Sequence, residues 1–237
     1  MLMIIKNIQK NIHQLNTSIK PVNNKYGKFI NINEEKEIVY YHIYFNKYEE
    51  EIKRNYINED EEIKMIKIII DYHVESFEGL FYKCESIESI NFKKFYRNNI
   101  NNMSGMFFGC SSLKELNLNN FNTNNVTDMS GMLGGCSLLK ELNLNNFNTN
   151  NVTNMSAMFE ECSSLKELNL NHFNTNNVTD MRGMFGGCSS LTELNLNNFN
   201  TNNVTDMSGM LWGCSNELII KIKTQYENIK EEAFEEY

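Results

Sequence analysis

The side chains best suited to chemistry are six cysteines that recur every 26 residues, at Cys84, Cys110, Cys136, Cys162, Cys188 and Cys214. Metal-binding cysteines usually lie close together, as in C-x-x-C, so this interval does not predict a metal site. One interval shared by all six instead indicates a structural repeat, in which the cysteines lie side by side in successive units. We predict buried, reduced thiols that pack as small apolar side chains.

No other group of residues predicts catalysis. The four histidines, His13, His42, His73 and His172, are scattered, and the chain has no G-x-S-x-G and no glycine-rich phosphate loop. An acidic column (Asp128, Asp180 and Asp206) offers one carboxylate per unit, which is fewer oxygens than calcium needs. We therefore predict no catalytic residue, no cofactor and no metal, and we assign the aspartates to capping of local turns.

Composition excludes several classes of partner. A formal net charge of -8 argues against a nucleic-acid-binding protein, which needs clustered lysine and arginine. The longest apolar runs, such as Met1–Ile5, are far shorter than the roughly 20 residues of a membrane span. That first run also lacks a basic region before it, and Lys6 ends it early, so no secretory signal is predicted. This pattern favours a cytoplasmic location.

The elements that carry the cysteines are nearly identical units at residues 113–138, 139–164, 165–190 and 191–216. A weaker copy covers 87–112 and a fragment covers 74–86. Leu116 and Leu118 alternate with polar residues, which predicts a short strand with one buried face. Val126, Met129 and Leu133 follow at helical spacing. We predict an α/β repeat solenoid: a curved parallel sheet with short helical turns on its other side, capped at both ends.

The repeat pattern, L-x-x-L-x-L-x-x-F followed by N-V-T-D-M-S-x-M-F-x-G-C-S-S, resembles that of the BspA-like leucine-rich repeat family. The resemblance covers about residues 74–216. It implies a curved solenoid with a parallel sheet on one face. It also implies a surface or secreted protein that adheres to host or matrix proteins and has no enzymatic activity.

The flanking segments are predicted to cap the repeats. Residues 1–73 are expected to form an N-terminal cap with an amphipathic helix over Ile5–Ile19, a strand over Ile38–Phe45, a charged helix over Tyr48–Tyr56 and a strand over Ile66–Ile70. Residues 74–216 are the repeats. Residues 217–237 are expected to form a C-terminal cap that opens with a strand through Leu218, Ile220 and Ile222.

Asparagines form the candidate binding surface, since they alternate with buried leucines and should face solvent. One interpretation is a broad face of amides that binds a protein partner through many modest hydrogen bonds. The other is that these asparagines only keep the surface soluble, and that they recur because the repeats were duplicated recently. His172 replaces an asparagine beside this face, and Trp212 replaces a glycine and either anchors a partner or packs under the C-terminal cap. The candidate residues are Asn117, Asn119, Asn143, Asn145, Asn169, Asn171, His172, Asn195, Asn197 and Trp212.

Three functional hypotheses follow. The first is a non-catalytic, monomeric protein-interaction module for adhesion or recognition, whose specificity resides in the few positions that vary between copies. The second is a structural protein that self-associates through the ends of its repeat array. The third is an enzyme in the N-terminal third, for which the sequence offers no motif.

Overall fold

The computed structural model describes residues 15–32, 38–47, 50–71, 73–95 and 99–236. Its strands are β1 Leu15–Pro21, β2 Gly27–Lys28, β3 Tyr41–Phe45, β4 Tyr56–Ile57, β5 Ile66–Ile70, β6 Ile87–Lys94, β7 Glu115–Asn117, β8 Glu167–Leu168 and β9 Glu193–Leu194. One α-helix, α1 (Asn216–Gln225), and two 3-10 helices, Ile38–Tyr40 and Glu231–Phe234, complete the described elements.

The largest sheet has five strands in the order β3-β5-β1-β6-β7. β1 pairs antiparallel with both β5 and β6, whereas β6 pairs parallel with β7. The N-terminal strands therefore continue directly into the first repeats within one sheet. Two further sheets have two strands each, β2 with β4 and β8 with β9.

The predicted helix over Ile5–Ile19 is wrong for the residues that the structure describes. Leu15–Pro21 is a strand whose alternate residues Leu15, Thr17 and Ile19 are buried. A four-residue spacing of apolar side chains suits either a helix or one face of a strand, and here pairing with β5 and β6 decides in favour of the strand. Residues 1–14, which carry the rest of the prediction, lie outside the described residues.

The other N-terminal predictions divide. The strand over Ile66–Ile70 is confirmed, and that over Ile38–Phe45 is confirmed from Tyr41 onward. The charged helix over Tyr48–Tyr56 is wrong, because Ile52 forms an antiparallel bridge with Ile43 and Tyr56 begins β4. Residues 48 and 49 lie outside the described part of the chain.

Successive repeats are joined through residues 128–136 and their equivalents, which we call the turn segments. The amides of Met129, Gly131, Leu133 and Gly135 donate to carbonyls of the next turn segment at 2.7 to 3.0 Å. The methionines, aromatic residues and cysteines of these segments are buried in one continuous core. Each repeat thus buries its apolar face against its neighbours.

The predicted leucine-rich-repeat-like solenoid with a curved parallel sheet is wrong. In the four nearly identical units the strands are only two or three residues long, and residues 141–143, at the equivalent position, form no strand. Between residues 74 and 215, the described part of the chain contains turns and bends where short helical turns were expected. The sheets present are small and mixed, with antiparallel pairing in the largest.

The asparagine side chains explain why the strands stop. The Oδ1 atom of Asn117 accepts from the backbone amide of Asn119 at 3.0 Å and turns the chain immediately after β7. Asn143, Asn169 and Asn195 do the same in their repeats. Such local side-chain bonds compete with extended backbone, so sheet pairing ends where they form.

The predicted closing strand through Leu218, Ile220 and Ile222 is also wrong, because these residues lie in α1. Ser215 caps the helix by accepting from the amide of Leu218 at 3.2 Å. Leu218 and Ile222, four residues apart, are buried, whereas Ile220 is 63% exposed. Beyond α1, the carbonyls of Glu232 and Ala233 accept from the amides of Gly209 and Leu211 at 2.8 and 2.7 Å.

Candidate protein-binding surface

The strand face consists of the exposed side chains of residues 114–119 and their equivalents 140–145, 166–171 and 192–197. Its asparagines fall into two columns with different roles. The column of Asn117, Asn143, Asn169 and Asn195 closes the turns described above. These side-chain oxygens therefore have a structural partner, and a ligand reaches only their remaining hydrogen-bonding capacity.

The second column, Asn119, Asn145, Asn171 and Asn197, is exposed. Within the described part of the chain, these four side-chain amides have no hydrogen-bond partner. Each amide retains its two N–H donors and its carbonyl acceptor. Of the two asparagine columns, this is the one whose side-chain amides are available to a ligand.

The structure places His172 in a structural contact. Its Nε2 atom donates to the carbonyl of Leu144 at 2.8 Å, as the amide of Asn146 donates to Leu118 at 3.1 Å in the preceding repeat. The histidine thus replaces an asparagine that links neighbouring repeats. Trp212 lies in a turn segment, away from the strand face, and its side chain is 40% exposed. The ten candidate residues do not form one site.

The strand face contains two open grooves. The central groove, of about 1030 Å³, includes Asn117, Asn119 and Asn143 in its lining. The C-terminal groove, of about 740 Å³, is lined by Asn169, Asn171, Asn195 and Asn197 together with residues of α1 and Tyr226.

Apolar side chains at the central groove were missed from the sequence. Leu138 is 43% exposed and Met65 is 37% exposed, and half-buried Leu142 lies beside them. Leu116, the equivalent of Leu142, is only 9% exposed, because it lies in β7. One signal was present in the sequence, since Leu138 stands where three other repeats have serine (Ser112, Ser164 and Ser190).

Charged residues border the amides in two rows. One row is Lys114, Lys140 and Lys166, and the other is Glu115, Glu141, Glu167 and Glu193. At the ends of the rows, Lys114 pairs with Glu88 at 3.2 Å and Lys221 pairs with Glu193 at 2.9 Å. The Lys20 and Lys114 ammonium groups lower the pKa of Glu88 by hydrogen bonding. The central members of both rows have no ion-pair partner among the described residues.

Asparagines and threonines at the bend between the strand face and the turn segment hold the repeats together. Asn148 Nδ2 donates to Asn124 Oδ1 at 2.8 Å, and the same contact recurs in the next two repeats. The hydroxyl of buried Thr123 donates to the backbone carbonyl of Asn148 at 2.9 Å and accepts from the backbone N–H of Asn148 at 2.7 Å. Asp128 accepts from the amide of Ser130 at 2.8 Å, so the aspartate column caps turns.

The cysteine column is buried, as predicted, and all six thiols are free. From Cys110 onward, each Sγ donates to the carbonyl 29 residues earlier, for example Cys136 to Phe107 at 3.3 Å. Burial raises the pKa of Cys110 and Cys162 to about 12, so these groups are poor nucleophiles. No three histidine, cysteine, aspartate or glutamate side chains in the described ranges are grouped as metal ligands.

These features define a repeat protein whose units share one core and expose amides and charges on one face. The chain belongs to the family described as "Mycoplasma protein of unknown function, DUF285", whose model matches residues 75–169 and 139–231. No curated protein and no solved structure matches the chain. Within the described residues, no helix is long and apolar enough to cross a membrane.

Proposed function

We propose that the protein is a non-catalytic protein-interaction module that binds a partner through its strand face. The observation that carries this proposal is the column of four exposed amides that have no hydrogen-bond partner among the described residues, the first of which, Asn119, lines the groove that contains Leu138 and Met65. Exposed apolar side chains bordered by polar groups are typical of protein-binding sites. The resemblance of the repeats to those of the BspA-like family supports adhesion or recognition as the purpose of the binding.

Self-association through the ends of the repeat array is less well supported. The amides of Gly209 and Leu211, in the turn segment of the last full repeat, already donate to the C-terminal residues Glu232 and Ala233. An end-to-end contact would have to displace these bonds. We therefore place recognition on the strand face.

A pull-down with a variant of the strand face tests the proposal. The variant changes Asn119, Asn145, Asn171 and Asn197 together to arginine, and extracts of the source cells and of neighbouring cells supply the partner. A matched control adds the same four charges elsewhere, at exposed Thr127, Thr153, Thr179 and Thr205. Circular dichroism and sizing verify that both variants are folded.

We expect the wild type and the threonine variant to retain a protein that the asparagine variant loses. Equal retention by all three proteins would place the binding surface elsewhere, for example near Trp212.

A further inference from the structure

Four charged residues of the strand face have no opposite charge paired with them in the described part of the chain. Lys140 and Lys166 lie exposed in one row, and Glu141 and Glu167 lie exposed in the other. None of these four residues has an ion-pair partner among the residues that the structure describes. Their charges are therefore available to a second molecule, and a partner that presents both signs in the complementary arrangement would pair with all four.

The strand face itself has that arrangement. The lysine and the glutamate are sequence neighbours in three repeats, and Lys114, Glu115, Lys140 and Glu141 line the same groove, so the two rows run side by side on one face. Rotation by 180° about an axis between the rows, parallel to the direction of the repeats, exchanges one row for the other. Two copies that meet face to face about this axis place each lysine row opposite a glutamate row.

The central groove straddles the same axis, since its lining includes Leu138 before the lysine–glutamate pair of its repeat and Leu142 after it. In a two-fold contact the same patch is used on both subunits. Leu138 of one copy can then enter the central groove of the other, where Met65 and Leu142 lie, and bury apolar surface inside a rim of charges.

We propose that the strand face binds a second copy of this chain. In this two-fold dimer each lysine row faces a glutamate row of the other copy, and Leu138 of each copy enters the central groove of the other. The inference rests on the proposed function, since it identifies the first partner of that face. It replaces the monomer expected from the sequence with self-association that weakens with salt, because exposed charges are screened. The contact uses a face of the repeats and leaves their ends free.

Charge reversal tests the pairing directly. One variant carries Lys140→Glu with Lys166→Glu, and a second carries Glu141→Lys with Glu167→Lys. Sedimentation equilibrium at low salt, over a wide range of concentrations, measures self-association of the wild type, of each variant and of their equimolar mixture. A control variant, Glu75→Lys with Glu161→Lys, changes exposed charges away from the strand face.

We expect the wild type to move from its chain mass of 27.7 kDa toward twice that mass as concentration rises. Each charge-reversed variant should self-associate at least about tenfold more weakly, since like charges then oppose each other. The equimolar mixture should recover the dimer, and the control should match the wild type. A wild type that stays monomeric, or a mixture that associates no better than its components, overturns the inference.

Leu138→Ser tests the apolar contact separately. The variant should fold, because serine occupies this position in the repeats that contain Ser112, Ser164 and Ser190. We expect at least about tenfold weaker self-association, and unchanged association would show that Leu138 lies outside the contact. The two proposals fail differently. If the wild type sediments as a monomer, but the asparagine variant fails to capture a protein that the wild type captures, the dimer is refuted and the strand face remains the binding surface.

Discussion

Raising the pH above 9 should unfold this protein steeply because of its six buried thiols. Burial holds the pKa of Cys110, Cys162 and Cys214 at about 12, against an ordinary value of 9.0. Burial also raises the pKa of Cys84, Cys136 and Cys188. Each folded pKa lies above its unfolded value, so this stabilisation is complete below pH 9 and is lost as pH rises toward 12.

The size of the effect follows from proton release on unfolding. Above pH 9, the unfolded chain loses a proton from each thiol that the folded chain keeps, at about 1.4 kcal/mol per thiol and pH unit. Six thiols together give a loss of about 8 kcal/mol per pH unit, which is comparable to the roughly 5–15 kcal/mol total stability of a domain. Unfolding is therefore expected within about two pH units above 9.

Urea denaturation followed by circular dichroism, repeated from about pH 7.5 to about pH 10.5, measures this loss. Cys136→Ala is the matched variant: its free energy of unfolding should fall less steeply with pH, by about 1.4 kcal/mol per unit. All other ionisable groups are common to the two proteins, so the difference between their slopes reports the Cys136 thiol. A free energy of unfolding that stays constant to pH 10.5, or equal slopes for the two proteins, would refute the reasoning.

Urea denaturation tests two further predictions. Leu168→Ala should lower the free energy of unfolding by roughly 2–5 kcal/mol, because a buried side chain is lost. Asn169→Ala should lower it by about 1 kcal/mol, because the turn bond is lost, and exposed Asn171→Ala by under about 0.5 kcal/mol. Equal losses at the three positions would contradict the assigned faces. Glu161 has φ of +55°, so Glu161→Gly should stabilise by about 0.5–1 kcal/mol, whereas Gly135→Ala should destabilise. A less stable Glu161→Gly protein would contradict the assigned strain.

The two glycine columns show how sequence and structure combine. Gly131 and Gly135 have φ of +58° and +71°, a region that side chains disfavour, so glycine recurs at both positions. One repeat has Ala157 and Glu161 instead and retains the left-handed backbone. Hydrogen bonds from the neighbouring turn segments fix this conformation, so the strain could not be read from the residue types alone.

Prediction was weakest where two backbone conformations fit the same apolar spacing. Leu15 and Ile19 fit either a helix or a strand, and pairing with β5 and β6 selects the strand. Leu218 and Ile222 fit either state as well, and the Ser215 cap and packing of only one side select the helix. The sequence could not show which asparagines close the turns after the short strands, because an asparagine that accepts a turn bond and one that is free on the surface are the same residue type in the same repeated pattern.

The sequence by itself determined the repeat, the burial of the cysteine column and the polar character of the strand face, because each depends on a pattern repeated through several units. Tertiary structure decided which backbone segments join the repeats, since the turn segments carry the hydrogen bonds that were expected of a sheet. It also decided where the face is open. Met65 and Leu138 are 73 residues apart in the chain, and only folding brings them to one groove.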